Sequence, residues 1–156
     1  MADACEVQIA NAVAAELNDP ARPWAGQFTA QPRSWLPVYG PDELMQAGVP
    51  VLRVAVVPLT IAAAPQGRGS RWLYDYGVAI ELQKKVLTPQ AATATIDALA
   101  QLAESIQGFY ADFHVLATLA GWRVVGSQRE DVYDLAQLYE DNTFATLVGL
   151  RVRGWR

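Results

Sequence analysis

The sequence predicts an α+β domain: a mainly antiparallel β-sheet with two α-helices packed on one face. Three observations carry the prediction. The stretch RWLYDYGVAIELQKK, Arg71 to Lys85, puts Trp72, Tyr74, Tyr76, Val78, Ile80 and Leu82 on every second position, the mark of a long strand with one buried face. Two other segments repeat their apolar residues at helical spacing. The chain closes on TFATLVGLRVRGW, a second long alternating run.

Taken in order, residues 3–18 read as a helix, with Cys5, Ile9, Val13 and Leu17 on one stripe. Asp3 is its expected cap, with Glu6 three residues on, and Asn18-Asp19-Pro20 ends it. Residues 20–50 are rich in proline and aromatics, which excludes a long helix. A short strand is expected over Gln27–Ala30 and one helical turn over Pro41–Gln46. VLRVAVVPL, Val51 to Leu59, is a nearly all-apolar strand, so it is expected to be buried on both faces, with Pro58 marking its end. Thr60 to Ser70 reads as a long loop of small residues. Thr88-Pro89 opens the second helix, whose stripe of Ala92, Ile96, Leu99, Leu102, Ile106 and Phe109 runs to about Gly108 or Ala111. A strand follows at Trp122–Ser127, then an acidic surface segment from Arg129 to Asn142. In the final strand, Phe144, Thr146, Val148, Leu150 and Val152 share one side, and Leu147, Arg151 and Arg153 the other.

Length and composition bound the possibilities. The 156 residues suggest a single domain, 1–156. A chain of this size buries roughly 70% of its unfolded surface and needs no disulfide or metal to fold. It is 52% hydrophobic and 18% charged, apolar for a free monomer, which points to surface covered by a partner. The net charge of −4 argues against a sequence-specific DNA binder, because phosphate neutralisation needs a basic excess. An acidic particle can still surround DNA without gripping it. The single cysteine, Cys5, rules out an internal disulfide, lies on the helical stripe and reads as a core residue. MADACEVQIA lacks the basic and apolar regions of a signal peptide, and the longest apolar run, Val54–Ala64, is too short to span a membrane.

Chemistry-bearing motifs are sparse. GRGS lacks the following Lys-Ser/Thr of a phosphate loop and opens a strand. His114, the single histidine, stands between Phe113 and Val115 with no acid beside it, so it reads as structural or exposed. The pairs Glu130-Asp131 and Glu140-Asp141 lack the spacing of a calcium loop or a paired acid/base site and read as solvated surface. Lys84-Lys85, Arg151, Arg153 and Arg156 fit either of two roles. They are charges at strand ends that discourage edge-to-edge pairing, or they form salt bridges to those acids on a neighbouring subunit. No catalytic residue, cofactor or metal is expected.

The combination resembles the tail-terminator (tail-completion) and related head–tail joining proteins of tailed bacteriophages. The resemblance rests on FTAQPRSWLPVY, on VAVVP followed by a small-residue loop and DYGVAIELQKK, on the helix TPQAATATIDALAQLAESIQGF and on the closing NTFATLVGLRVR. It implies a structural virion protein assembled in the host cytoplasm. Such a protein forms a ring, commonly a hexamer, at the head-proximal end of the tail. The ring stops polymerisation of the tail tube protein and joins the tail to the head connector or neck protein. DNA passes through the lumen without sequence-specific binding, and no membrane is involved. Asp75, Tyr76, Gln83, Lys84 and Lys85 match the family's motif. Candidate subunit or tube contacts are Arg68, Arg71, Asp75, Gln83, Lys84 and Lys85 on one part of the chain, and Glu130, Asp131, Glu140, Asp141, Arg151 and Arg153 on the other. The competing readings are a head-side neck or head-completion adaptor, a small ligand-binding or enzymatic α+β domain, and a monomeric partner-binding module.

Overall fold

A computed structural model describes residues 4–34, 39, 42–59, 66–68, 71–86, 89–111, 114–129 and 142–155, with backbone alone for residues 66–68, 71–72 and 89–92. It has the expected α+β class. Helix α1 (Cys5–Leu17) buries Cys5, Ile9, Val13 and Leu17, as their spacing requires. Its N-cap is Ala4, with no side-chain cap bond; Asp3, the expected cap, lies outside the described residues. At the other end Asn18 leaves the helix and mimics a backbone strand. Its Nδ2 donates to the Ala30 carbonyl at 2.9 Å and its Oδ1 accepts from the Ala30 N–H at 2.7 Å. The buried Trp24 indole N–H donates to the Leu17 carbonyl at 2.9 Å, satisfying one of the helix's orphan acceptors.

The main sheet runs β1 (Ala30–Pro32), β4 (Arg53–Leu59), β6 (Arg71–Lys85), β8 (Thr143–Trp155), β7 (Trp122–Arg129), with β5 (Gln66–Arg68) paired to the start of β6. Only β1–β4 is parallel, Ala30 lying opposite Val54. The short strand expected at Gln27–Ala30 thus begins where that expectation ended, because Asn18 pins Ala30. Of the helical turn expected over Pro41–Gln46, Pro41 lies outside the described residues, and residues 42–44 form a turn in which the Met45 N–H donates to the Asp42 carbonyl at 3.4 Å. Met45–Gln46 is instead β2 of a hairpin with β3 (Val49–Pro50). Its turn residues Ala47 and Gly48 both have positive φ, 51° and 77°, the geometry that suits a two-residue hairpin. The segment expected as loop from Thr60 to Ser70 contains β5, antiparallel to β6 through Gln66↔Leu73. Pro58 does not end β4 but sits one residue inside it. Strand β7 extends two residues past Ser127, with a bulge between Val124 and Gly126. The acidic segment 130–141 lies outside the described residues.

Helix α2 (Pro89–Phe109) and α1 pack on the same face of the sheet. That face carries Val54 and Val56 of β4, Val78, Ile80 and Leu82 of β6, and Val148, Leu150 and Val152 of β8, all buried. Full burial of such a side chain is worth about 1.5–3 kcal/mol, so this inner face dominates the core. Tyr74 and Tyr76 continue it half-buried, and Tyr76 meets Trp122 of β7 at 5.5 Å between ring centroids. Trp122 lies across the backbone of Gly154, where a Cβ would fall 2.3 Å from the indole. Gly154→Ala is therefore expected to cost about 1–3 kcal/mol by overpacking, measured as a lower urea midpoint with an unchanged m-value.

Candidate interaction surface

The outer face of the sheet is built from the residues that alternate with the core. On β6 these are Asp75, Gly77, Ala79, Glu81 and Gln83; on β8, Ala145, Leu147, Gly149, Arg151, Arg153 and Trp155. On β7, Arg123 lies opposite Arg153 and Gly126 opposite Arg151. The middle of this face carries almost no side chain, so a groove of about 710 Å³ runs across it between Leu59, Leu147 and Arg151 over Gly77, Gly126 and Gly149. At its rim Leu59 is 40% exposed, and beyond it, at the end of β8, Trp155 is 54% exposed.

One end of this face carries a cluster of arginines with one carboxylate. Arg153 Nε donates to Asp75 Oδ1 at 2.7 Å and Nη2 to Oδ2 at 3.1 Å, a two-pronged pair across β6 and β8. Hydrogen bonds from Arg153 hold the Asp75 carboxyl below the usual carboxylate range, against partial burial and with help from the Arg151 charge. Arg123 and Arg151 are exposed, and among the described residues neither forms an ion pair. Three arginines thus stand near one half-buried carboxylate.

The other candidate contacts fall in three groups. Gln83 is buried and donates from Nε2 to Glu81 Oε1 on the same strand, so it supports the sheet's outer face instead of projecting from it. Lys84 and Lys85 are the last residues of β6 and point to opposite faces, opposite Phe144 and Thr143. They therefore do not act as one basic patch, because strand neighbours alternate. Arg151 and Arg153 lie within β8, not beyond it. The Arg68 and Arg71 backbones pair in the β5–β6 hairpin. Their side chains, and Glu130, Asp131, Glu140, Asp141 and Arg156, lie outside the described residues. Arg123, Leu59 and Trp155 were not singled out from sequence. Alternation in TFATLVGLRVRGW puts Trp155 with the arginines, but the Arg123–Arg153 register is long-range.

One cluster elsewhere has the residue types of a chemical site. His114 does have an acid partner, ninety-eight positions away: its Nε2 is 2.8 Å from Glu16 Oε2. Glu16 Oε1 accepts from the Ala117 N–H at 2.6 Å. Tyr110 is buried beside them. Burial first, and then the Glu16 charge, push its phenol far above the ordinary value, and its hydroxyl has no hydrogen-bond partner among the described residues. Phe109 packs against His114 and lies under the Arg22 guanidinium at 4.3 Å. The Glu16 side chain is 2% exposed, so the carboxylate is sealed behind His114. What this arrangement does is tie α1 to the segment before β7. Among the described residues no three His, Cys, Asp or Glu side chains are placed to hold a metal.

Two outcomes follow from these carboxylates. Glu16→Ala removes the acceptor for both His114 and the Ala117 N–H and is expected to cost about 2–4 kcal/mol in chemical denaturation. Glu81 is buried; desolvation raises its carboxyl, partly opposed by the Gln83 hydrogen bond. A raised carboxyl disfavours the charged form in the fold. Its stabilising contribution is therefore present below the unfolded value of about 4.3 and lost as pH rises through the folded one. Glu81→Gln should melt above wild type near neutral pH, and the difference should vanish by about pH 4.

No protein-family model and no curated protein matches the chain. One solved structure, known only by a sequence identifier, aligns over 94% of each chain at 14% identity with a TM-score of 0.37, a likeness too low to carry an argument.

Proposed function

We propose that this chain is a structural virion protein of a tailed phage. It forms a ring, hexameric in the simplest case, at the head-proximal end of the tail, where it ends tube polymerisation and offers a surface to the head connector. The observation that carries the reading is the outer sheet face. A groove floored by glycines and bounded by exposed Leu59 and Arg151, on a face that also exposes Arg123 and Trp155, has the composition of a protein-docking surface, rich in tryptophan and arginine. Among the described residues it has no converging acid, base and nucleophile. The resemblance in sequence supports the same reading. Its two most specific pieces, VAVVP and DYGVAIELQKK, are adjacent antiparallel strands, with Val56 opposite Ile80. They therefore form a single structural unit.

The test is the mass of the purified protein by light scattering, alone and with its cognate tail-tube protein. A ring of six protomers of 17.0 kDa has a mass of ~102 kDa. That mass, or tubes held short and capped in negative stain, is the expected outcome. A monomer that leaves tube growth untouched would overturn the proposal. Association with the connector but never with tubes would move the protein to the head side.

A further inference from the structure

The two layers of the fold differ in charge. Neither helix contains a lysine, arginine or histidine: α1 reads CEVQIANAVAAEL and α2 PQAATATIDALAQLAESIQGF. On α2, Leu99, Leu102, Ala103 and Ile106 are buried, while Asp97 and Glu104 are exposed on the side turned away from the sheet. Those two acids are seven positions apart, ~10.5 Å along one side of the helix. The residues exposed around them, Ala94, Ala98, Gln101 and Ser105, are mostly small. The outer sheet face, on the opposite side of the molecule, is the reverse in both respects. It exposes Arg123 and Arg151 and the bulky Leu59 and Trp155.

Resting on the ring reading, we infer that the outer sheet face of one protomer seats on the acidic outer side of α2 of the next copy. Arg123 and Arg151 face Asp97 and Glu104, and Trp155 and Leu59 press on the small residues around Ala98, which line a shallow concavity beside α2. The match is one of charge and of shape. Arg123 lies opposite Arg153, one outward position along β8 from Arg151. The two cations are therefore one strand step of ~6.8 Å and one strand spacing of ~4.8 Å apart, and flexible arginine side chains can adjust to two carboxylates. The two patches are different surfaces on opposite sides of one chain, so the contact is heterologous. Repeated, it closes a ring when the rotation allows, where a self-complementary patch would stop at a dimer. Arg153 is committed to Asp75 and acts by holding that carboxylate away from the incoming acids.

The experiment uses two full-length double variants, R123E/R151E and D97K/E104K, each checked for a wild-type circular dichroism spectrum. Each alone sets like charges across the contact. Each is expected to raise the concentration for half-assembly at least tenfold by light scattering. An equimolar mixture is expected to recover the ring, because reversed sheet faces then meet reversed helices and native faces meet native ones. Misfolding cannot be rescued by mixing, so recovery reads the contact itself. Wild-type rings with both variants assembling normally would overturn this contact and leave the ring standing. Loss of assembly without recovery on mixing would also overturn it. A wild-type protein that stays monomeric with and without tube protein would overturn both. If the arginine variant instead loses retention of duplex DNA while its assembly is unchanged, the sheet face is a phosphate-contacting surface and the inference fails.

Discussion

The pairing of β6 with β8, unbroken from Leu73 opposite Trp155 to Lys85 opposite Thr143, is the constraint on which the remaining structure depends. Strand side chains alternate strictly, so a slip of one residue would turn every buried valine and isoleucine outward. This register places Ile80 beside Val148 and Val78 beside Leu150 on the inner face, and Gly77 beside Arg151 on the outer. Strands β4 and β7 then extend the same two faces at either side. Helix α1 lies where β4 offers Val54 and Val56, and α2 where β7 and β8 carry the inner face. The bulge in β7 resets its alternation. Val124 and Ser127 thereby both face inward, and Ser127 Oγ donates to the Gln107 carbonyl of α2 at 3.1 Å.

Polar bonds complete what apolar packing begins. The helices are held to the sheet side by a few directional contacts: Asn18 on Ala30, Glu16 on His114 and Ala117, Ser127 on Gln107. Each joins residues distant in sequence, and each satisfies groups that would be costly to bury unpaired. Apolar surfaces tolerate small slides, whereas such bonds fix position. The outcome is a layer of helices and a layer of strands held in one relation, which an assembly surface on either side requires.

The separation of charge follows from the same layering. The helices carry acids and no cations, and the exposed arginines of the outer face, Arg123 and Arg151, stand on β7 and β8, with half-buried Arg53 on β4. A net charge of −4 hides this. The molecule is acidic as a whole but polar through its thickness, and it is local potential that directs association.

Local periodicity by itself determined the long strand Arg71–Lys85, its aromatic and aliphatic inner face, the closing strand with its two-sided pattern, the two helices and the burial of Cys5. In each of these the spacing of neighbours within one element decides which side is apolar. What only the tertiary structure decided depends on contacts between distant residues. Ala30 joins a strand because Asn18 holds it, twelve positions earlier. His114 has an acid partner because the chain brings Glu16 back to it. Arg123 joins Arg151 and Arg153 through the β7–β8 register. Met45–Gln46 is a strand because it pairs with Val49–Pro50 across Ala47 and Gly48, whose positive φ the proline-rich flanks obscure in the sequence. Sequence spacing reports on faces, and long-range pairing determines which faces meet.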